Sequence, residues 1–444
     1  MKLWQKDKTS KKEVEAFTIG RDPEFDLLLA PFDVTGSMAH AIMLESIGLL
    51  TKEELDILKK GLKEIREEIS EGKFSIAPGV EDVHSQVEFL LTERYGDVGK
   101  KLHSGRSRND QVLVDLKLYY RKAIKETVTE IENLFQLLTH LAEKHKDDLM
   151  PGYTHTQLAM PSSFGLWFGS LAEGLAEDMD LWQTAYNLAN RNPLGSAAGY
   201  GSSFPLNRTM TTELLGFGDM HYNVINAQNS RGKTEKTLSF AMAGTAGTLN
   251  RLATDSIMFM NQHFGFISFP DELTTGSSIM PHKKNPDVFE LIRAKTNQIQ
   301  SYPQQIMMLL TNMSTGYHRD LQLLKETTFP AFDQLNDSLK IAQLMLENIS
   351  IKQDLLDDGF YAYLFSVEEV NRLVLNGVPF RDAYKKVGMD IEKGAFTPGK
   401  KIKHTHEGSI GQLCLKQIDN KMEQSKINFA EAEKAEATLW GTNA

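Results

Sequence analysis

Residues 107–150 read SRNDQVLVDLKLYYRKAIKETVTEIENLFQLLTHLAEKHKDDLM and contain neither glycine nor proline. Apolar side chains recur along this stretch at helical intervals, at Leu113, Leu116, Tyr120, Ile124, Val128, Ile131, Phe135, Leu138 and Leu141. With a rise of about 1.5 Å per residue, the pattern predicts a helix of roughly 60 Å, far longer than the globular mean. Such a helix must bury its apolar stripe against other helices.

Three further segments have the same helical character and complete the prediction of the fold. They cover about 162–190, 233–263 and 287–312, and the second of them is rich in small residues that let helices approach closely. Convincing alternating strands are hard to find, although short hairpins could lie within 194–206. We therefore predict an all-α, elongated subunit with a central long-helix bundle. Its three parts are an N-terminal helical domain over 1–105, the bundle over 106–354 and a C-terminal helical domain over 355–444.

The composition is that of a soluble enzyme. The net charge of −10 over 444 residues argues against a nucleic-acid partner, which would usually require a basic excess. Cys414 is the only cysteine, which excludes an intrachain disulfide and a thiolate metal cage and fits a reducing cytoplasm. The N-terminus lacks the apolar core of a secretory signal, and no uncharged apolar run approaches about 18 residues. We therefore expect a cytoplasmic protein without a membrane span.

The segment 276–286 reads GSSIMPHKKNP and precedes the last of these helical segments. Gly276 and Pro281 shape a backbone that can present a nest of main-chain amides, and Lys283 and Lys284 supply positive charge for an anionic substrate. The segment resembles the signature loop of the fumarase/aspartase superfamily, whose members eliminate an amine or water to leave fumarate. Glycines at 265 and 276 flank the preceding stretch, so we expect the loop to close over the site as a lid.

Three other short segments are rich in functional side chains: EDVH at 81–84, HSGRSRNDQ at 103–111 and PGYTHTQ at 151–157. The second and third lie at opposite ends of one helix of roughly 60 Å. A single chain cannot easily bring them together. If both serve one site, that site must be assembled from different subunits, which predicts an oligomer.

Each segment also has a purely structural interpretation. Ser107 could be only the N-cap of the long helix, although this role would still permit anion binding by arginines at the same terminus. His155 alone would more often be structural, and for Asp82 and His84 the two interpretations are equally good. No close ligand spacing supports a metal site built from His84, His155 and Glu290, so we predict no metal. Without a family resemblance, Arg319 and Lys325 would be read as a solvated helix face.

The segments GRSRNDQ at 105–111 and GYTHTQ at 152–157 resemble those of the argininosuccinate lyase family, and the resemblance extends over about 33–381. Members of this family cleave argininosuccinate to arginine and fumarate, require no cofactor and form homotetramers. The resemblance implies that the catalytic residues are His155, Ser277, Lys283 and Glu290. It also implies substrate binding by Asp26, Ser107, Arg108, Asn109, Thr154, Gln157, Arg231, Asn285, Tyr317, Gln322 and Lys325.

The elimination chemistry explains these residue types. Removing a carbon-bound proton beside a carboxylate adds negative charge to an anion, which cations and preorganised donors such as Lys283 and Asn285 can stabilise. A serine hydroxyl is a weak base and needs surrounding positive charge to act as one. By resemblance, Ser277 is the base, His155 the acid and Glu290 the residue that tunes the histidine. The sequence leaves the reverse assignment of base and acid open.

The chain departs from the usual pattern of the family near its N-terminus. The family has a Ser-Ile pair followed by an Asp four residues after the serine, whereas here Asp22 stands at the serine position and Asp26 fits the pattern. The residues around Arg231 and the arginine at 319 also differ from the commoner residues. Adenylosuccinate lyases are the nearest rival family, and a non-enzymatic structural relative is a second alternative. The polar, mixed-charge binding set and the absence of a Gly-rich phosphate loop favour argininosuccinate over a nucleotide.

Overall fold

A computed structural model describes residues 12–442, and the polypeptide is mainly helical. The α-helices are α1 (Lys12–Ile19), α2 (Asp22–Ser46), α3 (Lys52–Ser70), α4 (Val83–Tyr95), α5 (Asp97–Lys101), α6 (Arg108–Lys144), α7 (Phe164–Ala189), α8 (Arg208–Leu214), α9 (Val224–Asn229), α10 (Lys233–Phe259), α11 (Asp287–Ile299), α12 (Tyr302–Leu309), α13 (Leu324–Glu347), α14 (Ser366–Leu375), α15 (Phe380–Glu392), α16 (Leu415–Gln424) and α17 (Ala430–Trp440). Short 3-10 helices cover Asp271–Leu273, Arg319–Leu323, Leu355–Asp357 and Gly359–Phe365. The prediction of a mainly helical fold is confirmed.

The strands of the described residues form small two-stranded sheets that connect helices. They are β1 (Leu149–Thr154), β2 (Gln157–Ser163), β3 (Arg191–Asn192), β4 (Asp219–Met220), β5 (Ile267–Ser268), β6 (Thr275–Gly276), β7 (Lys284–Asn285) and β8 (Ser350–Ile351). The longest pair is the antiparallel hairpin of β1 and β2, in which Thr154 pairs with Gln157. This hairpin joins α6 to α7. Within 194–206, where a hairpin was considered possible, the structure has no strand.

Helix α6 is the long helix predicted from residues 107–150, but it is shorter than expected. Ser107 forms a capping box with Asp110 at its start, and the 37 residues span about 55 Å. The helix ends at Lys144 because the following polar residues turn the chain. His145 Nδ1 lies 2.6 Å from Asp148 Oδ2, and the His145 carbonyl accepts a hydrogen bond from Gly165 N at the start of α7. The prediction of a helix up to residue 150 was therefore wrong by about one and a half turns.

The bundle is formed mainly by α6, α7, α10, α11 and α13, which share one large apolar core. Trp182 Nε1 donates to Thr245 Oγ1 at 3.0 Å, and Trp167 Nε1 donates to Asp255 Oδ2 at 3.0 Å, so α7 runs antiparallel to α10. The segment 287–312, predicted as one helix, is divided into α11 and α12. Pro303 lies in the first turn of α12, where its missing N–H costs least.

The helix directions give the bundle two ends that matter for the site. The first end holds the N-termini of α6 and α10 together with the start of α13. The second end holds the C-termini of α6 and α10, the β1–β2 hairpin and the loop from α10 to α11. At the second end the rings of Tyr153 and Phe264 are 5.7 Å apart. Lys117, at the first end, donates from Nζ to Leu188 O at 2.7 Å and to Thr234 Oγ1 at 2.8 Å, joining α6, α7 and α10.

Helix α2 is long and apolar enough to cross a membrane by length and composition, which the sequence analysis did not anticipate. However, 72% of its most apolar window is buried inside the molecule. A smaller apolar core joins α2, α3 and α4, and Trp440 of α17 packs into it, with the Arg66 guanidinium 4.2 Å from the centre of its ring system. Helix α2 is thus a core helix that connects this smaller cluster with the bundle.

Candidate functional site

A polar cavity of about 170 Å³ lies at the first end of the bundle, where several chain segments converge. It is enclosed by the end of α1, the first turns of α2, α4, α6 and α13, and the residues that precede α10 and α13. The lining residues are Thr18, Ile19, Asp22, Asp26, Glu81, Asp82, His84, Arg108, Asn109, Val112, Arg231, Tyr317, Arg319, Gln322 and Lys325. The pocket contains both carboxylates and cations, as a zwitterionic ligand would require.

The pocket brings together seven of the substrate-binding residues predicted from the sequence. They are Asp26, Arg108, Asn109, Arg231, Tyr317, Gln322 and Lys325. Ser107 does not line the pocket. Its hydroxyl instead accepts a hydrogen bond from Asn109 N at 3.3 Å and caps α6, which is the structural role considered from the sequence.

Lys325 is the electrostatic centre of the pocket. Its side chain is only 2% exposed, and Nζ donates to Asp26 Oδ1 at 2.6 Å and lies 2.7 Å from Asp22 Oδ1. Burial raises the pKa of the Asp22 carboxyl to about 6, against the opposing effect of the Lys325 charge. The interpretation of Lys325 as part of a solvated face was wrong. The first turn of α13 is packed against α2, and Leu324 and Lys325 are both buried there.

Arg108 fixes the opposite wall of the pocket to the start of α4. Its guanidinium donates to Glu81 Oε2 at 2.7 Å and to Ser85 Oγ at 2.8 Å, and it lies 3.2 Å from Asp82 Oδ2. Arg319 lies 3.4 Å from Glu81 Oε1. These contacts place EDVH at 81–84 beside the first turn of α6, so the two segments line the same pocket.

His84, at the wall of the pocket, is buried between two carboxylates. Its Nδ1 lies 2.7 Å from Asp33 Oδ1 and 3.4 Å from Asp115 Oδ2. Burial lowers the pKa of His84, but Asp33, Asp115 and Asp82 outweigh it and raise that pKa to about 9. The donor atoms of Asp33, His84 and Asp115 are grouped closely enough to hold a metal ion. Within the single chain, His84 Nδ1 contacts both carboxylates directly, and the three side chains form a buried ion-pair cluster.

The predicted acid and its neighbours lie at the second end, in the turn of the β1–β2 hairpin. Thr154, His155, Thr156 and Gln157 are all exposed in the single chain. His155 and Thr156 have φ angles of 53° and 59°, in the left-handed region that a β-branched threonine rarely adopts. This strained turn projects His155 away from the body of its own chain.

The predicted base also lies at the second end, in the loop that the pairing of β6 with β7 closes. Ser277 Oγ accepts hydrogen bonds from Met280 N at 3.1 Å and Ile279 N at 3.3 Å, so the loop folds back on this hydroxyl. Asn285 Nδ2 donates to Thr275 Oγ1 at 3.3 Å, and Lys283 is exposed. Ile279, at the tip, is 82% exposed. The loop thus exposes Lys283 and its tip, whereas Ser277 and Asn285 are half-buried.

The structure therefore divides the predicted site between the two ends of the bundle. His155, Ser277, Lys283 and Glu290 all lie at the second end, with Thr154, Gln157 and Asn285, while the pocket is at the first end. In particular, a metal site made of His84, His155 and Glu290 cannot form within one chain. The pocket residues that the sequence analysis did not assign to the site are Thr18, Ile19, Asp22, Glu81, Asp82, His84, Val112 and Arg319. The sequence did carry signals for some of them, namely the EDVH segment at 81–84 and the departures from the family pattern at Asp22 and Arg319.

Comparisons with known proteins give a consistent result. A family model described as Lyase matches residues 6–301. The chain is 59% identical over 442 residues to the argininosuccinate lyase of Bacteroides thetaiotaomicron, covering 99% of each chain. It is 39% identical over 386 residues to that of Thermotoga neapolitana, covering 87% of this chain and 97% of the relative. A solved structure of an EDDS lyase variant with bound fumarate has a TM-score of 0.77 at 22% identity, covers 96% of this chain and 93% of its own, and shares the fold.

Proposed function

The chain belongs to the argininosuccinate lyase family of the fumarase/aspartase superfamily, and from this membership we propose that it cleaves argininosuccinate into arginine and fumarate. The observation that carries the proposal is the identity of 59% over 99% of the chain. The mixed-charge pocket supports it, because an amino acid tail needs both carboxylates and cations. The reaction is a β-elimination that requires no cofactor.

The residues at the second end supply the elimination chemistry. Ser277 takes the proton from the carbon beside the carboxylate, and His155 protonates the departing nitrogen. Lys283 and Asn285 stabilise the negative charge that develops on the carboxylate. Glu290, in the first turn of α11, tunes the histidine of the assembled site. Closure of the 276–286 loop would exclude water and bring Ser277 against the substrate.

The active enzyme is a homotetramer in which one chain supplies the pocket and other chains supply His155 and Ser277. The separation of these groups along α6, about 55 Å, supports this arrangement. The outer surface of the bundle supports it too, because large apolar side chains are exposed on four of its helices: Leu181, Phe240, Leu291 and Leu344. An apolar groove of about 440 Å³ between α11 and α13 continues this surface. Further copies of the chain would bury both.

The cell compartment follows from the same assignment. The substrate and products are small, charged metabolites, and Cys414 is the only cysteine. Both observations support a cytoplasmic enzyme.

The proposal is tested by following fumarate through its ultraviolet absorbance after argininosuccinate is added to the purified protein without metal or nucleotide. Arginine is measured in parallel and should appear in equal amount. Adenylosuccinate serves as the competing substrate, and the Ser277→Ala variant serves as the inactive control. A higher kcat/KM for adenylosuccinate would assign the chain to the rival activity, and loss of turnover with a chelator would point to a metal. A folded, assembled protein that converts neither compound would be a structural relative without activity.

A further inference from the structure

Asp22 gives the pocket a second carboxylate on the buried Lys325 ammonium. Lys325 Nζ lies 2.6 Å from Asp26 Oδ1 and 2.7 Å from Asp22 Oδ1, and both aspartates line the cavity. The two residues are four positions apart on the first turns of α2, so they present their carboxylates on the same face of the helix. Asp22 keeps 23% of its side chain exposed, whereas that of Asp26 is 4% exposed. Asp22 therefore faces the open part of the cavity.

Among the residues that the structure describes, two carboxylates in this corner contact one ammonium, that of Lys325. The more distant Arg231 also acts on Asp22. The carboxyl of Asp22 accordingly has a pKa raised to about 6, chiefly by burial and further by the charge of Asp26. A ligand cation beside Asp22 would complete the charge balance and would be held by a charge-assisted hydrogen bond.

The second carboxylate departs from the family pattern, which has a neutral serine at the position of Asp22. If the proposed lyase activity is correct, the cation available in this corner is the α-ammonium of the departing amino acid. Lys325 lines the same corner of the cavity and supplies the cation that faces the α-carboxylate. Asp22, Asp26 and Lys325 together thus complement both charges of an amino acid end group.

We propose that Asp22 is a specificity-determining residue that selects a substrate whose leaving amino acid carries a free α-ammonium group. An Nα-acylated substrate lacks this charge and adds bulk, so it would leave two carboxylates on one lysine without compensation. Discrimination therefore arises from the unpaired charge as well as from lost contacts.

The alternative occupant of this corner is the guanidinium at the reacting end of the substrate. Both the free and the acylated substrate carry that guanidinium. An Asp22 that bound it would therefore favour neither compound, whereas an Asp22 that binds the α-ammonium must change their ratio. The ratio of kcat/KM values separates the two assignments, and a general loss of folding cannot imitate it, since it would lower both values equally.

The experiment compares kcat/KM for argininosuccinate and for its Nα-acetyl derivative in the wild type, Asp22→Asn and Asp22→Ser. Asp22→Ser restores the residue of the family pattern, and Asp22→Asn keeps the size of the side chain. Glu24→Gln is the matched control, because Glu24 lies on the same turn of α2, is paired with Arg21 and does not line the cavity.

We expect both Asp22 variants to raise KM for argininosuccinate about tenfold or more with little change in kcat. They should reduce the preference over the acetylated compound by a similar factor, and Glu24→Gln should leave it unchanged. A wild-type enzyme that cleaves argininosuccinate but whose preference survives in both variants would overturn the inference while leaving the lyase activity intact. A wild type that cleaves neither compound would overturn the proposed activity itself.

Discussion

His155 is exposed and Ser277 is half-buried, and both lie at the second end of the bundle, away from the pocket of their own chain. His155 lies in a turn with left-handed backbone angles, and Ser277 Oγ accepts hydrogen bonds from two backbone amides of its loop. We expect Ser277→Ala and His155→Asn to lower kcat by about 100-fold or more with little change in KM, because each would remove a proposed proton-transfer group. Steady-state kinetics at saturating argininosuccinate measures this. A comparable loss in Ser278→Ala, the neighbouring hydroxyl, would argue against a specific role for Ser277.

His84 makes stability depend on pH. Its pKa is raised from 6.5 to about 9 in the folded protein, so the stabilisation is complete below pH 6.5 and is lost as pH rises through 9. The loss should amount to about 3 kcal/mol in the free energy of unfolding. Burial and the charge of Asp33 also raise the pKa of Asp115, which contributes with the same sign.

The measurement is urea unfolding between pH 6 and 9.5 in the wild type and His84→Asn. The variant should be less stable below pH 9, because Asp33 and Asp115 lose their cation, and its stability should fall less over this range. An equally steep fall in the variant would assign the pH dependence to other groups.

For individual residues, local sequence motifs were enough to predict some members of the site. Residues whose role depends on partners far away in the sequence could not be predicted in this way. Arg108, Asn109 and Lys325 were found because they belong to recognisable segments. The contact of Lys325 with Asp22 joins positions about 300 residues apart, so no local pattern reveals it. The partnership of His84 with Asp33 and Asp115 is likewise formed only when α2, α4 and α6 pack.

The N-terminus of α6 links helix stability to the pocket. The Ser107 hydroxyl caps the helix, and Arg108 and Asn109 follow in its first turn. Ser107→Ala should lower the free energy of unfolding by about 1 kcal/mol and should also raise KM, because the first turn frays. Thr51→Ala is the matched control, since Thr51 caps α3 in the same way but outside the pocket. It should cost similar stability and leave KM unchanged. Equal KM effects from both substitutions would contradict the link.

The loop between α10 and α11 should change its protection when the site is filled. Its tip is exposed, and the pairing of β6 with β7 holds only its base. Hydrogen exchange over 270–284 should slow severalfold when the product fumarate and arginine are added together, because closure buries the loop amides. The β5–β8 pair at 267–268 and 350–351 provides an internal reference that should not change. Unchanged exchange over 270–284 at saturating ligand would exclude a lid.

Helix existence was predictable from apolar periodicity, whereas helix ends depended on tertiary contacts. The end of α6 at Lys144 is set by the turn through His145 and Asp148, which packs against the start of α7. The break between α11 and α12 occurs just before Pro303, and a proline inside a helical pattern is a sequence signal for such a break. The hairpin at 149–163 was not predicted, because its turn is short and its strands carry few alternating apolar residues.

At the scale of the whole molecule, the C-terminal region contacts several parts of the chain. Helix α16 packs on α7, α14 and α15 form their own small apolar cluster, and Trp440 joins the cluster of α2–α4. The division into parts at residues 105 and 354 stays a prediction. Limited proteolysis would test it, with the first cuts expected near those two positions.

The central claim is that a lyase site is assembled from the pocket of one chain and the loop of another. We expect Asn109→Ala to inactivate the pocket and Ser277→Ala to inactivate the loop, at opposite ends of the same chain. When subunits of the two inactive variants are exchanged, about a quarter of the sites should contain neither substitution, and activity should return to roughly that level. Mixing Ser277→Ala with Lys283→Met, two changes on the same loop, should restore nothing. Recovery in the first mixture alone is the predicted result, and no recovery after verified subunit exchange would contradict the account.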